Sequence, residues 1–314
     1  MRILITGVGG FVGGHLLRHI LETHPESELH GTSLLGASRP ALPALVCHNL
    51  DLKNAQAVHN LIERAKPDQI YHLAAQASPR ESFQNPWLTL ENNIQSQLNI
   101  LEACVTLKIR PHILIVSSGE IYGPLQPDQQ PANEESPLRP NSPYGVSKIT
   151  QDMMGLQYFL RYGLPIMRVR PFNHTGPGQR EGFVAVDYAV KIAKIDAGIY
   201  PPNLEIRSPS AQRDFTDVRD VVRAYQMVIE QGTPGEVYNV ASGQTHSIND
   251  LVQLLIRHSE VSIEFKLETE SGEASIIKGD ASRLWKATGW QPQIPFEQTL
   301  LDVLNDCRQR VHEA

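Results

Sequence analysis

Tyr144 and Lys148 stand four residues apart in RPNSPYGVSK (139–148). Ser142 ahead of Pro143 marks a helix start: serine caps free N–H groups, and proline fits the first turn without wasting a donor. On a helix, positions i and i+4 project from one face. A phenol titrates near 10 and exchanges protons poorly at neutrality. A nearby ammonium favours the phenolate and lowers that pKa. The pair therefore reads as a tuned acid/base, with the lysine also free to hydrogen-bond a ribose. An exposed Tyr–Lys helix pair is the plain alternative.

Upstream, IVSSGEIYG (115–123) brings Ser117, Ser118 and Glu120 to the end of a strand. Ligands of open α/β sheets bind beyond the carboxyl ends of strands. There the Ser118 hydroxyl can hold a carbonyl oxygen, and Glu120 can act on a neighbouring carbon.

Near the start, TGVGGFVGG (6–14) spaces Gly7, Gly10 and Gly13 as G-x-x-G-x-x-G between the first strand and the first helix. Glycine allows a tight turn and a close backbone approach to a pyrophosphate. The helix start at Phe11, Val12 and Gly13 offers free N–H groups and a positive dipole end. A glycine-rich turn without a ligand is the alternative, weakened by the strand before it and the alternating pattern after it. The second strand ends in GTSLLGASR (31–39), with Thr32 and Ser33 but no acid. An acid there would bind the ribose hydroxyls of NAD, and an arginine would accept the 2′-phosphate of NADP. Nothing repels a phosphate, so NADP(H) is favoured and NAD(H) stays open; Arg39 is the nearest cation. Asp51 and Leu52, in NLDLKN (49–54), follow the third strand where an adenine could rest. A plain turn capped by Asn54 is the alternative there.

These residues need a scaffold that gathers strand ends. RILITG (2–7), ELHGTS (28–33), ALVCHNL (44–50), QIYHLA (69–74), HILIVSS (112–118) and PIMRVRPF (165–172) read as strands. Helical patterns cover 11–24, 85–107 and 142–163. Near-continuous apolar strands alternating with helices predict an α/β fold, a Rossmann-like doubly wound parallel sheet. A smaller C-terminal α/β substrate domain is expected to follow. The dinucleotide domain is placed at 1–170, re-entered by about 213–243, with 171–212 and 244–314 in the substrate domain. The polar, proline-rich stretch 126–140 reads as a loop over the site.

The 314 residues carry a net charge of -6, which disfavours a nucleic-acid surface. The three cysteines, Cys47, Cys104 and Cys307, are scattered, which fits a reduced cytoplasmic chain. No apolar run approaches a membrane span of about 18 residues. His15 and His19 share a helix face but lack a third ligand, so no metal is expected.

Taken together, TGVGGFVG, HLAAQAS (72–78), Ser118 with YGVSK, RPFNHTGPGQ (170–179), RDFTDVRDVVRAY (213–225), EVYNVASG (236–243) and TGWQPQIPFEQTL (288–300) resemble the extended short-chain dehydrogenase/reductases. The resemblance covers nearly all of the chain. RPFNHTGPGQ followed by GFV is most similar to the GDP-mannose branch of that superfamily.

The resemblance implies NAD(P)H-dependent reduction of the C4 ketone of a GDP-4-keto-6-deoxy-hexose, giving GDP-D-rhamnose or its C4 epimer. It gives Tyr144 the proton donation, Ser118 the keto oxygen and Lys148 the nicotinamide ribose. Leu73, Ala74 and Ala75 would line the cofactor. Asn173 and the helix start at Val184 would meet the sugar diphosphate, Arg213 a phosphate or the guanosine part, and Glu273 the substrate. A turn satisfying its own backbone is the alternative for Asn173, and a salt bridge to Asp214 or Asp217 for Arg213. Glu270 and Ser271 stand where family members usually carry Arg-Pro, so one nucleotide cation is missing; Arg207 or Arg283 could replace it. The resemblance further implies a homodimer through the helices at 85–107 and 142–163.

A GDP-mannose 4,6-dehydratase is the second reading, with Glu120 as its acid/base. Leu34–Leu35 in place of that enzyme's Arg-Arg, and Ala185, Val186 and Asp187 in place of basic residues, favour the reductase. An NAD-dependent 4-epimerase ranks third, and a catalytically silent sugar-nucleotide sensor lies outside the enzyme class.

Overall fold

In the computed structural model, residues 1–34, 44–269 and 275–313 are described. The first elements run β1 (Arg2–Thr6), α1 (Phe11–Thr23), β2 (Glu28–Ser33), β3 (Leu45–Asn49), α2 (Ala55–Ala65), β4 (Gln69–His72), α3 (Pro79–Gln84), α4 (Pro86–Thr106), β5 (His112–Val116), α5 (Pro143–Tyr162) and β6 (Ile166–Pro171). Then come β7 (Asn173–Thr175), α6 (Val184–Asp196), β8 (Asn203–Ile206), β9 (Gln212–Asp217), α7 (Val218–Gln231) and β10 (Val237–Val240). The chain closes with β11 (Thr245–Ser247), α8 (Ile248–Arg257), β12 (Glu264–Leu267), β13 (Ile276–Ile277), α9 (Ser282–Thr288) and α10 (Phe296–Glu313).

Seven strands form one sheet in the order β10-β6-β5-β4-β1-β2-β3. Every pairing in it is parallel. The chain winds outward from β1 to β3, then returns to β4 and winds the other way. The turns after β1 and β4 therefore diverge, and a crevice opens between them.

The strands are apolar on both faces because both are covered. Ile3 and Ile5 pack with Leu16, Leu17 and Ile20 of α1 and with Val221 and Val228 of α7. Leu4, between them, faces the other layer, with Val58 and Ile62 of α2 and Ile100 and Leu101 of α4. A second core joins α6, α8 and α10 to β8 and β9. There β9 pairs with β11, β13 and β7, while β12 pairs with β8.

Re-entry occurs through α7, which packs on the sheet, and β10, which pairs with β6; β9, inside the same 213–243 stretch, belongs to the smaller sheet. Leu284 of α9 and Trp290 also pack in the large sheet's core. The stretch 244–314 is thus divided between the two cores rather than lying wholly with the second. The loop 126–140 is pinned along the C-terminal segment: Ala132 N–H donates to Lys278 O at 2.9 Å, and Asp280 N–H to Ala132 O at 2.8 Å.

A buried charge cluster anchors α5 to the sheet. Asp152 accepts from Arg168 Nη1 at 2.6 Å and Arg170 Nε at 2.8 Å. Arg170 Nη1 also donates to Tyr122 Oη at 3.1 Å and Glu134 O at 3.0 Å. All three charged side chains are buried. Asp152→Asn leaves two buried cations without a counter-charge, which costs about 3–5 kcal/mol. Urea unfolding should show a loss of that size; an unchanged midpoint would contradict the anchoring role.

Candidate active site

The turn after β1 needs its glycines for geometric reasons. Gly7 has φ +69°, a region side chains avoid, and a Cβ on it would stand 3.0 Å from Ala74 Cα. A Cβ on Gly13 would collide with the Gly7 carbonyl oxygen, so only glycine lets α1 approach the turn this closely. A Cβ on Gly10 would meet only Gly7 O, at 3.2 Å, and would otherwise enter open space. Gly10 caps α1 without a side-chain hydrogen bond, and no acid lies in the helix's first turn. The N–H groups of Phe11, Val12 and Gly13 are thus presented to that space with the helix dipole behind them. This donor set fits an anionic pyrophosphate.

Phe11 also stacks on His174, with ring centroids 6.4 Å apart and planes at 7°. His174 Nδ1 bonds Phe172 O at 2.9 Å, and burial lowers its pKa. The segment after β6 therefore covers the glycine turn, a role for His174 that the sequence reading did not foresee. His15 bonds Pro177 O at 2.8 Å in the same contact.

Thr32 and Ser33 end β2 as expected, but their hydroxyls are engaged. Thr32 Oγ1 accepts from Gly7 N at 3.2 Å, and Ser33 Oγ donates to Asn49 Oδ1 at 2.8 Å. Leu35 and Arg39 lie outside the described residues, as do Glu270, Ser271 and Glu273. Asp51 is exposed and accepts from Lys53 N at 2.9 Å; Leu52 is buried, and its carbonyl accepts from Asn99 at 2.8 Å. Asn54 caps α2 by accepting from Ala57 N.

The turn Leu73–Gln76 lies opposite the glycines. Thr6 Oγ1 accepts from the N–H groups of Leu73 and Ala74, each at 3.0 Å. Ala74 and Ala75 are partly exposed along the crevice. Buried Asn93 of α4 fixes the far end: its Oδ1 accepts from Gln76 N at 2.7 Å, and its Nδ2 donates to Gln76 O at 3.1 Å. The same Nδ2 donates to Ser147 Oγ at 2.9 Å, which donates to Tyr144 O at 2.7 Å. Asn93 thereby ties this turn to the helix carrying the phenol. The helical pattern at 85–107 placed it on α4 but gave no sign of that partner.

Ser142 caps α5 by accepting from Gly145 N, with Pro143 in the first turn, as its sequence indicates. Tyr144 and Lys148 project from one face, Lys148 Nζ 5.8 Å from the Tyr144 ring centre and 2.9 Å from Val116 O. Burial pushes Tyr144 up to about 12, the Glu120 charge adding to it and a hydrogen bond with Ser118 opposing it. The expected depression of the phenol by Lys148 is not found: burial dominates the phenol and also pushes Lys148 itself down to about 7. Tyr144 is therefore a protonated donor at neutral pH. Ser118 caps the turn at 119–122, its Oγ accepting from Glu120 N at 3.2 Å.

Glu120 faces Arg213 across the site. Burial raises the Glu120 pKa, and the Arg213 charge opposes the rise. Arg213 is not in the salt bridge offered as its alternative. Its Nη1 donates to Gln212 O and Ser275 O, each at 2.8 Å. Asp214 instead accepts from Ser242 N, Gly243 N and Gly279 N, and Asp217 pairs with Arg219. Asn173 lies in β7 beside Phe215 rather than in a turn. Val184 opens α6, which has no side-chain cap, but Asp187 in its first turn accepts from Gly182 N at 2.6 Å. Arg283 is committed to Glu134, Glu135 and Glu236, and Arg207 is exposed.

The arrangement presents a proton donor and a hydroxyl beside a pyrophosphate-type cradle, which suits reduction of a carbonyl. The family model for GDP-mannose 4,6 dehydratase matches residues 4–303. The chain is 35% identical over 315 residues to the GDP-6-deoxy-D-mannose reductase of Pseudomonas aeruginosa, covering 99% of each. It is 27% identical over 342 residues to the GDP-mannose 4,6 dehydratase of Drosophila melanogaster, covering 96% of this chain and 84% of that one. Among solved structures, RMD from Pseudomonas aeruginosa complexed with NADPH matches with TM-score 0.86 and 33% identity, over 99% of this chain and 100% of that one. UDP-glucose 4-epimerase from Thermotoga maritima with UDP-glucose matches with TM-score 0.87 at 24% identity, over 99% and 100%, a likeness of fold. Glycine turn, Ser118–Tyr144–Lys148 centre and full-length match agree: this chain is a member of the GDP-mannose 4,6-dehydratase family of extended short-chain dehydrogenase/reductases.

Proposed function

We propose that the protein reduces the C4 ketone of a GDP-4-keto-6-deoxy-hexose with NADPH, NADH remaining open, to GDP-D-rhamnose or its C4 epimer. The observation that carries this reading is Tyr144, buried and held protonated against Ser118 at the carboxyl edge of the sheet. The reductase from Pseudomonas aeruginosa, similar over the full chain, supports the substrate class, and its relative bound to NADPH supports the cofactor.

The bound dihydronicotinamide supplies the hydride. Phe11, Val12 and Gly13 hold the pyrophosphate by their N–H groups, and Leu73, Ala74 and Ala75 line the cofactor. The strand ends at Thr32–Ser33 and Asp51–Leu52 border its adenosine end, the Thr32 and Ser33 hydroxyls being committed within the protein. Ser118 holds the keto oxygen, and Tyr144 gives it a proton. Lys148 orients the nicotinamide ribose. Asn173 and the start of α6 at Val184 receive the diphosphate, and Arg213 a phosphate or the guanosine part. The cofactor lobe is 1–170 with 218–243, and the substrate lobe 171–217 and 244–314, with 282–290 returning to the first.

Trp87 and Leu98 on α4, and Val146, Met153 and Leu160 on α5, are exposed apolar side chains. We assign this face to a homodimer contact of four helices. Light scattering should give twice the chain mass at micromolar concentration, and a monomer would refute the contact. No described helix is long and apolar enough to cross a membrane, and we assign the protein to the cytoplasm.

Tyr144→Phe removes only the hydroxyl. General acid catalysis contributes about 10²–10⁴-fold, so kcat should fall by that factor with NADPH binding nearly unchanged. Equal activity would remove Tyr144 from its role. The pH dependence should come from Lys148 instead. Its folded pKa of about 7 lies below its ordinary 10.5. The unfolded chain thus binds the extra proton between those values, and this group's contribution to stability rises with pH across that window. In the folded protein the charged form that holds the ribose is lost as pH rises through about 7, so kcat/KM for NADPH should fall above that value. A profile flat to pH 9 would contradict this.

Glu120 separates reductase from dehydratase. Elimination needs a carboxylate to take a proton from C5, whereas reduction asks only that Glu120 position the sugar. Misplacement costs up to about 10²-fold. Glu120→Gln should retain measurable reduction of the 4-keto sugar, and the wild type should leave GDP-mannose untouched. Conversion of GDP-mannose to the 4-keto product with no net cofactor use would replace this reading with the dehydratase.

A further inference from the structure

His72 ends β4 and is fully enclosed, directly before the turn that faces the glycines. Its Nδ1 lies 3.0 Å from Thr6 Oγ1. The Thr6 hydroxyl already accepts from Leu73 N–H and Ala74 N–H, each at 3.0 Å. A hydroxyl has two lone pairs and one proton. With both lone pairs taken, the proton must point at His72 Nδ1. The imidazole is therefore neutral and carries its own proton on Nε2. Burial and the Lys148 charge act in the same sense, pushing the His72 pKa down to about 3. The Gln151 atom nearest to Nε2, at 3.5 Å and one turn after Lys148 on α5, is its amide nitrogen, while its Oε1 has no partner; exchanging the two ends of that amide gives the Nε2 proton its acceptor. A cationic His72 would turn a third donor on Thr6 and break the set.

We propose that His72 is a positioning residue for the dinucleotide: as an obligate acceptor it orients the Thr6 hydroxyl, and that hydroxyl holds the Leu73–Ala74 turn against the glycine loop. The tightness of that contact is the reason the orientation matters. Ala74 Cα would stand only 3.0 Å from a Cβ on Gly7, so a small shift of the turn changes the width of the crevice. The inference rests on the dinucleotide reading but not on the identity of the sugar.

Three substitutions separate acceptor geometry from bulk. Asn places its Oδ1 near the Nδ1 position. Gln places its oxygen near the Nε2 position, and Phe keeps a ring without any acceptor. NADPH affinity is measured by fluorescence titration without sugar substrate, beside amide hydrogen exchange of the cofactor-free protein over 73–76. His72→Asn should stay within about threefold of wild type and keep the Leu73 and Ala74 amides protected. His72→Gln and His72→Phe should bind about tenfold more weakly, as expected for a buried hydroxyl proton without its acceptor. They should also exchange faster at those two amides, while exchange in α1 and β1 stays as in wild type. Equal affinity and equal exchange in all three variants would overturn the proposal. So would a His72→Asn protein that folds and yet behaves like the Phe variant. Should Gln or Phe fail to fold, the Asn variant alone decides. A wild type that binds neither NADPH nor NADH would defeat the dinucleotide reading, while the exchange data would still test the Thr6–His72 contact.

Discussion

The parallel direction of all seven strands is the constraint from which the site follows. It puts the carboxyl ends of β1, β4, β5 and β6 on one edge. The glycine turn, the Leu73–Gln76 turn, Ser118 and the start of β7 all emerge there. An antiparallel sheet would send half of these to the opposite edge. Parallel strands need a crossover between each pair, and the crossovers must cover both faces. The apolar strands, the two helix layers and the crevice between β1 and β4 are consequences of the same choice.

Burial at that edge sets the protonation states. Tyr144 is pushed up to about 12 and Lys148 down to about 7, so each is driven toward its neutral form. A neutral phenol is what proton donation requires. Glu120 moves in the same direction, with Arg213 opposing the shift. Enclosure, more than the four-residue spacing of Tyr144 and Lys148, decides which groups carry charge. The buried frame around them, from Thr6 to His72 on one side and from Asn93 to Ser147 on the other, supplies hydrogen bonds that water would otherwise make.

Much of this could be read from the residues. Glycine spacing is visible because only glycine tolerates the φ of Gly7 and the approach at Gly13. The start of α5 is visible because Ser142 and Pro143 act locally. What was hidden depends on long-range partners. Asn93 looks like any polar residue of α4 until Gln76 and Ser147 are beside it. His174 is one residue of a motif until Phe11 stacks on it. The return of Leu284 and Trp290 to the first core follows no local pattern, since a helix does not state which core it fills. The direction of the Tyr144 pKa shift is hidden for the same reason: burial belongs to the fold, and spacing alone reports only the neighbour.

The central claim is that this edge delivers a hydride to the sugar's C4 while Tyr144 protonates its oxygen. The most direct measurement uses NADPH deuterated at the transferable nicotinamide position, GDP-4-keto-6-deoxymannose and NMR of the product. The account predicts one deuterium at sugar C4 for each cofactor oxidised. A product with only hydrogen at C4, or a sugar left unchanged while cofactor stays reduced, would contradict it.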